Sequence, residues 1–140
     1  MGTTENTPAM GYEQARAEVI DWLKLCKISD SKIEKSEDVI ESLTEAMQDR
    51  RLVIDEKKVE YTLIHELKLD DGSTFLDKVN IKNRINYNAV KPYMKGIKSD
   101  DAIGMMHAYA CALIGEPMST FTKLDTRDSG LLRSIASFFF

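Results

Sequence analysis

The sequence predicts an α+β fold: an N-terminal helical hairpin over residues 11–50, a small antiparallel β-meander over 51–83, and a helical half over 84–140. Three observations carry that expectation. Apolar residues recur at helical spacing in residues 12–26 and again at Val39, Ile40, Leu43, Ala46 and Met47. The period then drops to two, with Val59, Tyr61, Leu63, Leu67 and Leu69 at odd positions and Glu60, Thr62, Glu66 and Lys68 at even ones. From Ser99 onward the helical period returns, punctuated by Gly115, Pro117 and Asp125.

The first helix is read from Ala15, Val19, Trp22, Leu23 and Cys26, with charged residues on its other side and Lys24 and Lys27 at its negative end. Before it, residues 1–10 hold little that can be buried and are expected to form a disordered tail. Ser29-Asp30-Ser31 breaks the helix, and Ser31 with Glu34 has the spacing of a capping box for the second. Two helices across a polar turn also suggest a DNA-reading helix-turn-helix. Glu37, Asp38, Glu41 and Glu45 on the second helix would repel phosphate, so that alternative is disfavoured.

In the meander, Leu52-Val53-Ile54 supplies a short first strand, 59–69 a second, and Phe75, Val79 and Ile81 mark a third beyond the Asp70-Asp71-Gly72-Ser73 turn. His65 falls on the apolar face of the second strand and is read as a packed residue rather than a base or ligand. Asp70 and Asp71 lack the further oxygen ligands of a calcium loop.

In the C-terminal half, Lys91-Pro92 to Gly96 suggests one short helical turn. Ser99 is a candidate cap for the next helix, whose inward stripe is Ile103, Met106, His107, Ala110, Leu113 and Ile114, ending at Gly115. Met118–Phe121 makes a further turn. Asp125 starts the last helix with Asp128 in its first turn, and Leu131, Leu132, Ile135, Ala136 and Phe139 form its stripe.

Composition narrows the function. The chain has 140 residues, 43% hydrophobic and 30% charged, as one globular domain over 11–140 requires. Its net charge is −4 and its pI about 5.2, which disfavours sequence-independent nucleic-acid binding. No apolar run approaches the ~20 residues that span a bilayer, and the polar start lacks the pattern of a signal peptide. The expectation is a soluble cytoplasmic protein with no membrane partner. Cys26 and Cys111 sit in apolar helical patterns, without ligand spacing, and read as buried free thiols; no metal or cofactor is expected. No GxSxG, Walker, HExxH or GxGxxG motif occurs, so the expectation is a protein that binds proteins rather than an enzyme.

Several pieces of residues 60–140 form a recognisable series. They are Tyr61–Leu67 followed by Asp71-Gly72, a strand to Ile81, a linker with Arg84, a helix leaving through Leu113-Ile114-Gly115-Glu116-Pro117, the run Lys123-Leu124-Asp125-Thr126-Arg127-Asp128, and a closing amphipathic helix. In this order and spacing the chain resembles the tail assembly chaperones of long-tailed bacteriophages, with Glu66 standing where many relatives have proline. The resemblance implies a non-catalytic factor of the bacterial host cytoplasm. Such a factor binds the tape measure protein and tail tube protein during assembly and is absent from the mature virion; a structural or adaptor protein retained in the particle is the alternative. Met105, Met106 and Met118, with the terminal Phe138, Phe139 and Phe140, are the candidate partner-binding residues, because flexible thioethers and aromatics suit an adaptable apolar groove. The same residues can instead fill the core, and the aromatic end can serve a homo-oligomer.

Overall fold

A computed structural model describes residues 10–56 and 58–139. Residues 1–9 of the expected tail, and Phe140, lie outside the described residues. Met10, the last tail position, packs against the core, and its carbonyl accepts from Gln48 Nε2 at 3.5 Å.

The helical hairpin is present. Helix α1 (Tyr12–Leu25) buries Ala15, Val19, Trp22 and Leu23, the stripe its spacing requires. A one-turn helix α2 (Asp30–Glu34) follows, capped by Ser29 rather than Ser31: Ser29 Oγ accepts from the Lys32 amide at 3.2 Å. Helix α3 (Glu37–Gln48) then buries Ile40, Leu43, Thr44, Ala46 and Met47. Lys27 and Arg50, each just past a helix end, take positive φ (67° and 64°), and the amides beyond them return to Leu23 and Ala46 carbonyls, closing Schellman-type turns. Outside the core, the Arg16 guanidinium grips the Glu37 carboxylate at 2.7 and 2.8 Å, and the Tyr12 hydroxyl donates to Glu41, tying α1 to α3.

The meander is a three-stranded antiparallel sheet in the order β1-β2-β3, from β1 (Leu52–Asp55), β2 (Lys58–Lys68) and β3 (Thr74–Asn80). Alternation holds for its first half only. Val59, Tyr61 and Leu63 are buried, but Thr62 pairs with Lys78 and the next pair is Leu67 with Leu76, so Leu63–Glu66 bulges opposite Asp77 alone. The bulge corrects the expectation for His65: its side chain is 64% exposed, because the extra residues rotate the strand out of period. Beyond the bulge Leu67 and Leu76 still pack on the core, while nearer the turn Leu69 and Phe75 are about half exposed. Its turn is closed by Asp71, which accepts from the Ser73 amide and hydroxyl, and by Gly72 at φ 87°.

Two short helical turns, α4 (Tyr87–Val90) and a 3-10 turn (Lys91–Met94), lead to α5 (Ala102–Ile114). The cap of α5 is Asp101, whose Oδ1 accepts from the Gly104 amide at 2.8 Å, not Ser99. Its inward face also differs from the expected stripe. Ile103 is 65% exposed, whereas Ala108 and Ala112 are fully buried, because α5 lies between the main core and a second cluster built on Val90. Gly115 ends it in the left-handed region at φ 70°. After α6 (Met118–Phe121), helix α7 (Thr126–Ala136) is capped by Asp125 Oδ1, which accepts from the Arg127 amide at 2.9 Å. The chain then tightens into a 3-10 turn (Ser137–Phe139).

Helices from both ends share one core with the sheet: Trp22, Leu43, Tyr61, Leu113, Phe121, Leu132 and Ile135 belong to a single buried cluster. Trp22 satisfies its indole N–H on Asn83 Oδ1 at 2.8 Å, so the largest core side chain also fixes the segment leaving β3.

Candidate functional site

The most unusual polar arrangement forms where α7 meets the bulge of β2. Asp128, on the first turn of α7, has no solvent exposure. The bulge frees the backbone amides of Ile64 and His65 from the ladder, and both point at this carboxylate. Ile64 N–H reaches Oδ1 at 2.9 Å and Oδ2 at 3.1 Å, His65 N–H reaches Oδ2 at 3.3 Å, and the Tyr61 hydroxyl donates to Oδ1 at 2.6 Å. A buried carboxylate is tolerable only with such donors around it. Arg51 stands behind Tyr61, donating to its hydroxyl oxygen at 3.1 Å. Burial first, and then the Asp128 carboxylate, push the Tyr61 hydroxyl far above the ordinary tyrosine range, so it remains a donor.

Above this network a cleft of about 590 Å³ runs between α3 and α7. Helix α3 contributes Asp38, Val39, Ser42 and Glu45, spaced as one helical face, and α7 contributes Arg127, Gly130, Leu131 and Arg133. Arg51 and Tyr61 close one part of the wall. The cleft is thus acidic along α3, basic along α7 and Arg51, and partly apolar between them. Arg133 Nε is buried without a hydrogen-bond partner. At the N-terminal end of α7, Arg127 holds Asp125 at 3.1 Å and lowers its carboxyl below the usual aspartate range, with the exposed His65 ring 3.7 Å away on the other side.

The predicted partner-binding residues lie elsewhere. Met105 and Met106 are half-buried on α5. Met118, at the start of α6, packs on the core with its sulfur 3.9 Å from Cys111 Sγ. Phe138 is a core residue, 4% exposed, and Phe139 is half-buried against the same core. None of these lines the α3–α7 cleft. The sequence signal for the cleft was present in the spacing of Asp38, Ser42 and Glu45, yet an exposed polar helix face carries no sign of what stands opposite it.

Among the described residues no three His, Cys, Asp or Glu side chains gather as metal ligands, and no helix is long and apolar enough to cross a membrane. Both thiols are pushed up to about 11 by burial, which suits packing rather than nucleophilic chemistry. What the arrangement offers is recognition: cations and carboxylates on opposite walls over an apolar floor. No family model, curated protein or solved structure matches this chain.

Proposed function

We propose that this chain is a non-catalytic tail assembly chaperone that binds the tape measure protein and tail tube subunits while a phage tail is built, and leaves before the particle is complete. The observation that carries the reading is the convergence of the resembling pieces. Tyr61 and Ile64 of the strand motif and Asp128 of the Lys123–Asp128 run are distant in sequence, yet they meet in one buried hydrogen-bond network. Residues that define the resemblance thus act as one structural unit, which an accidental match of common helix stops and caps does not require. A charge-lined cleft beside that unit supplies a surface for a protein partner.

Quantitative mass spectrometry on two samples tests this: tagged protein purified from cells assembling particles, and the mature particles. Co-purification with tape measure and tube proteins, together with absence from mature particles, is the expected result. Stoichiometric presence in the particle makes the protein a structural or adaptor component instead, and absence from both samples removes the phage assignment.

A further inference from the structure

The α3–α7 cleft has two properties that a surface depression between helices need not have. Its charges are segregated by wall, and its floor is partly apolar. On α3, Asp38 and Glu45 lie about two turns apart, roughly 10.5 Å along one face, and on α7, Arg127 and Arg133 are separated by about 9 Å along the axis. Asp38 and Glu45 are exposed, and neither has an ion-pair partner among the described residues. On the basic wall Arg127 already leans on Asp125 and Arg51 on Tyr61, whereas Arg133 keeps a buried Nε unpaired.

The floor is shaped for close approach. Val39 and Leu131 are half-buried and pack on the core from the two sides. Next to Leu131 on α7 is Gly130, where an added Cβ would meet only Arg133 Nη2, at 3.8 Å. A glycine in a helix interior costs about 1 kcal/mol relative to alanine, and here it leaves the floor open.

We infer that the α3–α7 cleft receives one amphipathic helix of a partner protein, with lysines or arginines along the flank facing α3 and glutamates or aspartates along the flank facing α7. Small or aliphatic residues line the stripe between the two rows. A free anion would use the arginines and leave the carboxylate row opposed to it, and a polynucleotide would be repelled by that row. An extended strand needs an unpaired sheet edge, while the walls here are helices with saturated backbones. Only a rod with a different charge on each flank satisfies both walls. The inference deepens the chaperone reading, resting on it solely for the natural source of the helix.

Three synthetic helices of about 18 residues, long enough to hold helical structure, provide the probe. They share a Leu/Ala stripe and differ in their flanks: Lys on one and Glu on the other, Lys on both, or Glu on both. Fluorescence anisotropy is expected to show the mixed probe binding at least about tenfold more tightly than the other two. Asp38→Lys/Glu45→Lys lies on exposed positions and is expected to move the preference to the Glu-flanked probe. Arg127→Glu/Arg133→Glu should move it to the Lys-flanked probe, with circular dichroism confirming that each variant is folded. Equal affinities for all three probes, no binding, or unchanged preference in a folded charge-reversed variant overturns the inference. Probe selectivity with no tape measure co-purification would overturn the chaperone reading alone; co-purification with an unselective cleft would overturn the groove alone.

Discussion

Asp128 Oδ1 accepts the Tyr61 hydroxyl at 2.6 Å, joining the first turn of the last long helix to the middle strand across 67 positions of chain. The same carboxylate takes two backbone amides from the β2 bulge. This contact explains why an irregular strand is stable here. The bulge removes ladder hydrogen bonds, and a charged acceptor brought by α7 replaces them.

Breaking the network therefore has graded consequences. Tyr61→Phe deletes one hydrogen bond to a charged group and is expected to cost about 1.5–3 kcal/mol. Asp128→Ala strands two amides and a hydroxyl in the core and is expected to cost about 3–5 kcal/mol. Urea denaturation of both variants and their double mutant checks this, since groups sharing one network should lose less together than the two separate losses combined. Additive losses would mean that the tyrosine and the carboxylate are not coupled.

Much of the architecture was readable from periodicity, because burying one face of a helix or strand leaves a repeat in the sequence. Val19, Trp22 and Leu23, or Leu43, Ala46 and Met47, needed nothing more. Departures arose where a long-range partner overrides the local pattern. His65 has the parity of a core residue, but the bulge that turns it outward is stabilised by Asp128, far along the chain. Ser99 and Asp101 are both good caps, and the choice between them depends on how the preceding segment meets α5. Ala108 and Ala112 look like the filler of an exposed face until Val90 packs on them. For the cleft, each wall was visible as a polar helix face, while the pairing of α3 with α7 is tertiary and leaves no local trace.

The aromatic end separates into two kinds of residue. Phe138 is 4% exposed inside the main cluster, and Phe139 only leans on it. Phe138→Ala is expected to lower stability by about 3–5 kcal/mol, the usual cost of emptying a buried phenyl site. Phe139→Ala should cost less than half as much. Chemical denaturation of the two single variants gives the comparison, and similar losses would contradict the packing described.

Gly104 is a position where alanine should do harm despite its higher helix propensity. A Cβ there would lie 2.5 Å from Asp101 Oδ2 and 3.1 Å from Ile97 Cγ2, so it displaces the carboxylate that caps α5. Gly104→Ala is expected to destabilise by about 1 kcal/mol through loss of the cap. In an Asp101→Ala background the main obstacle is gone, and the same substitution should become neutral or stabilising. A change of sign between the two backgrounds, read from denaturation midpoints, identifies the steric cause; the same effect in both would point to Ile97 or the backbone instead.

His107 gives the fold a predictable response to acid. Its ring lies 5.4 Å from the Phe121 ring, and burial first, then the Arg133 charge, lower its pKa below the ordinary 6.5, against a smaller opposing pull from Asp101. The unfolded chain therefore takes up this proton at a higher pH than the folded one. Its contribution to stability is complete above the unfolded value and is lost as pH falls from about 6.5 through the folded pKa. Arg133→Gln removes one of the two lowering causes, so the His107 titration followed by NMR should move upward while remaining below the ordinary value. His107→Phe should flatten the loss of stability between about pH 7 and 5. An unchanged titration in Arg133→Gln would show that burial alone sets the shift, and that the guanidinium lining the cleft does not act on this ring.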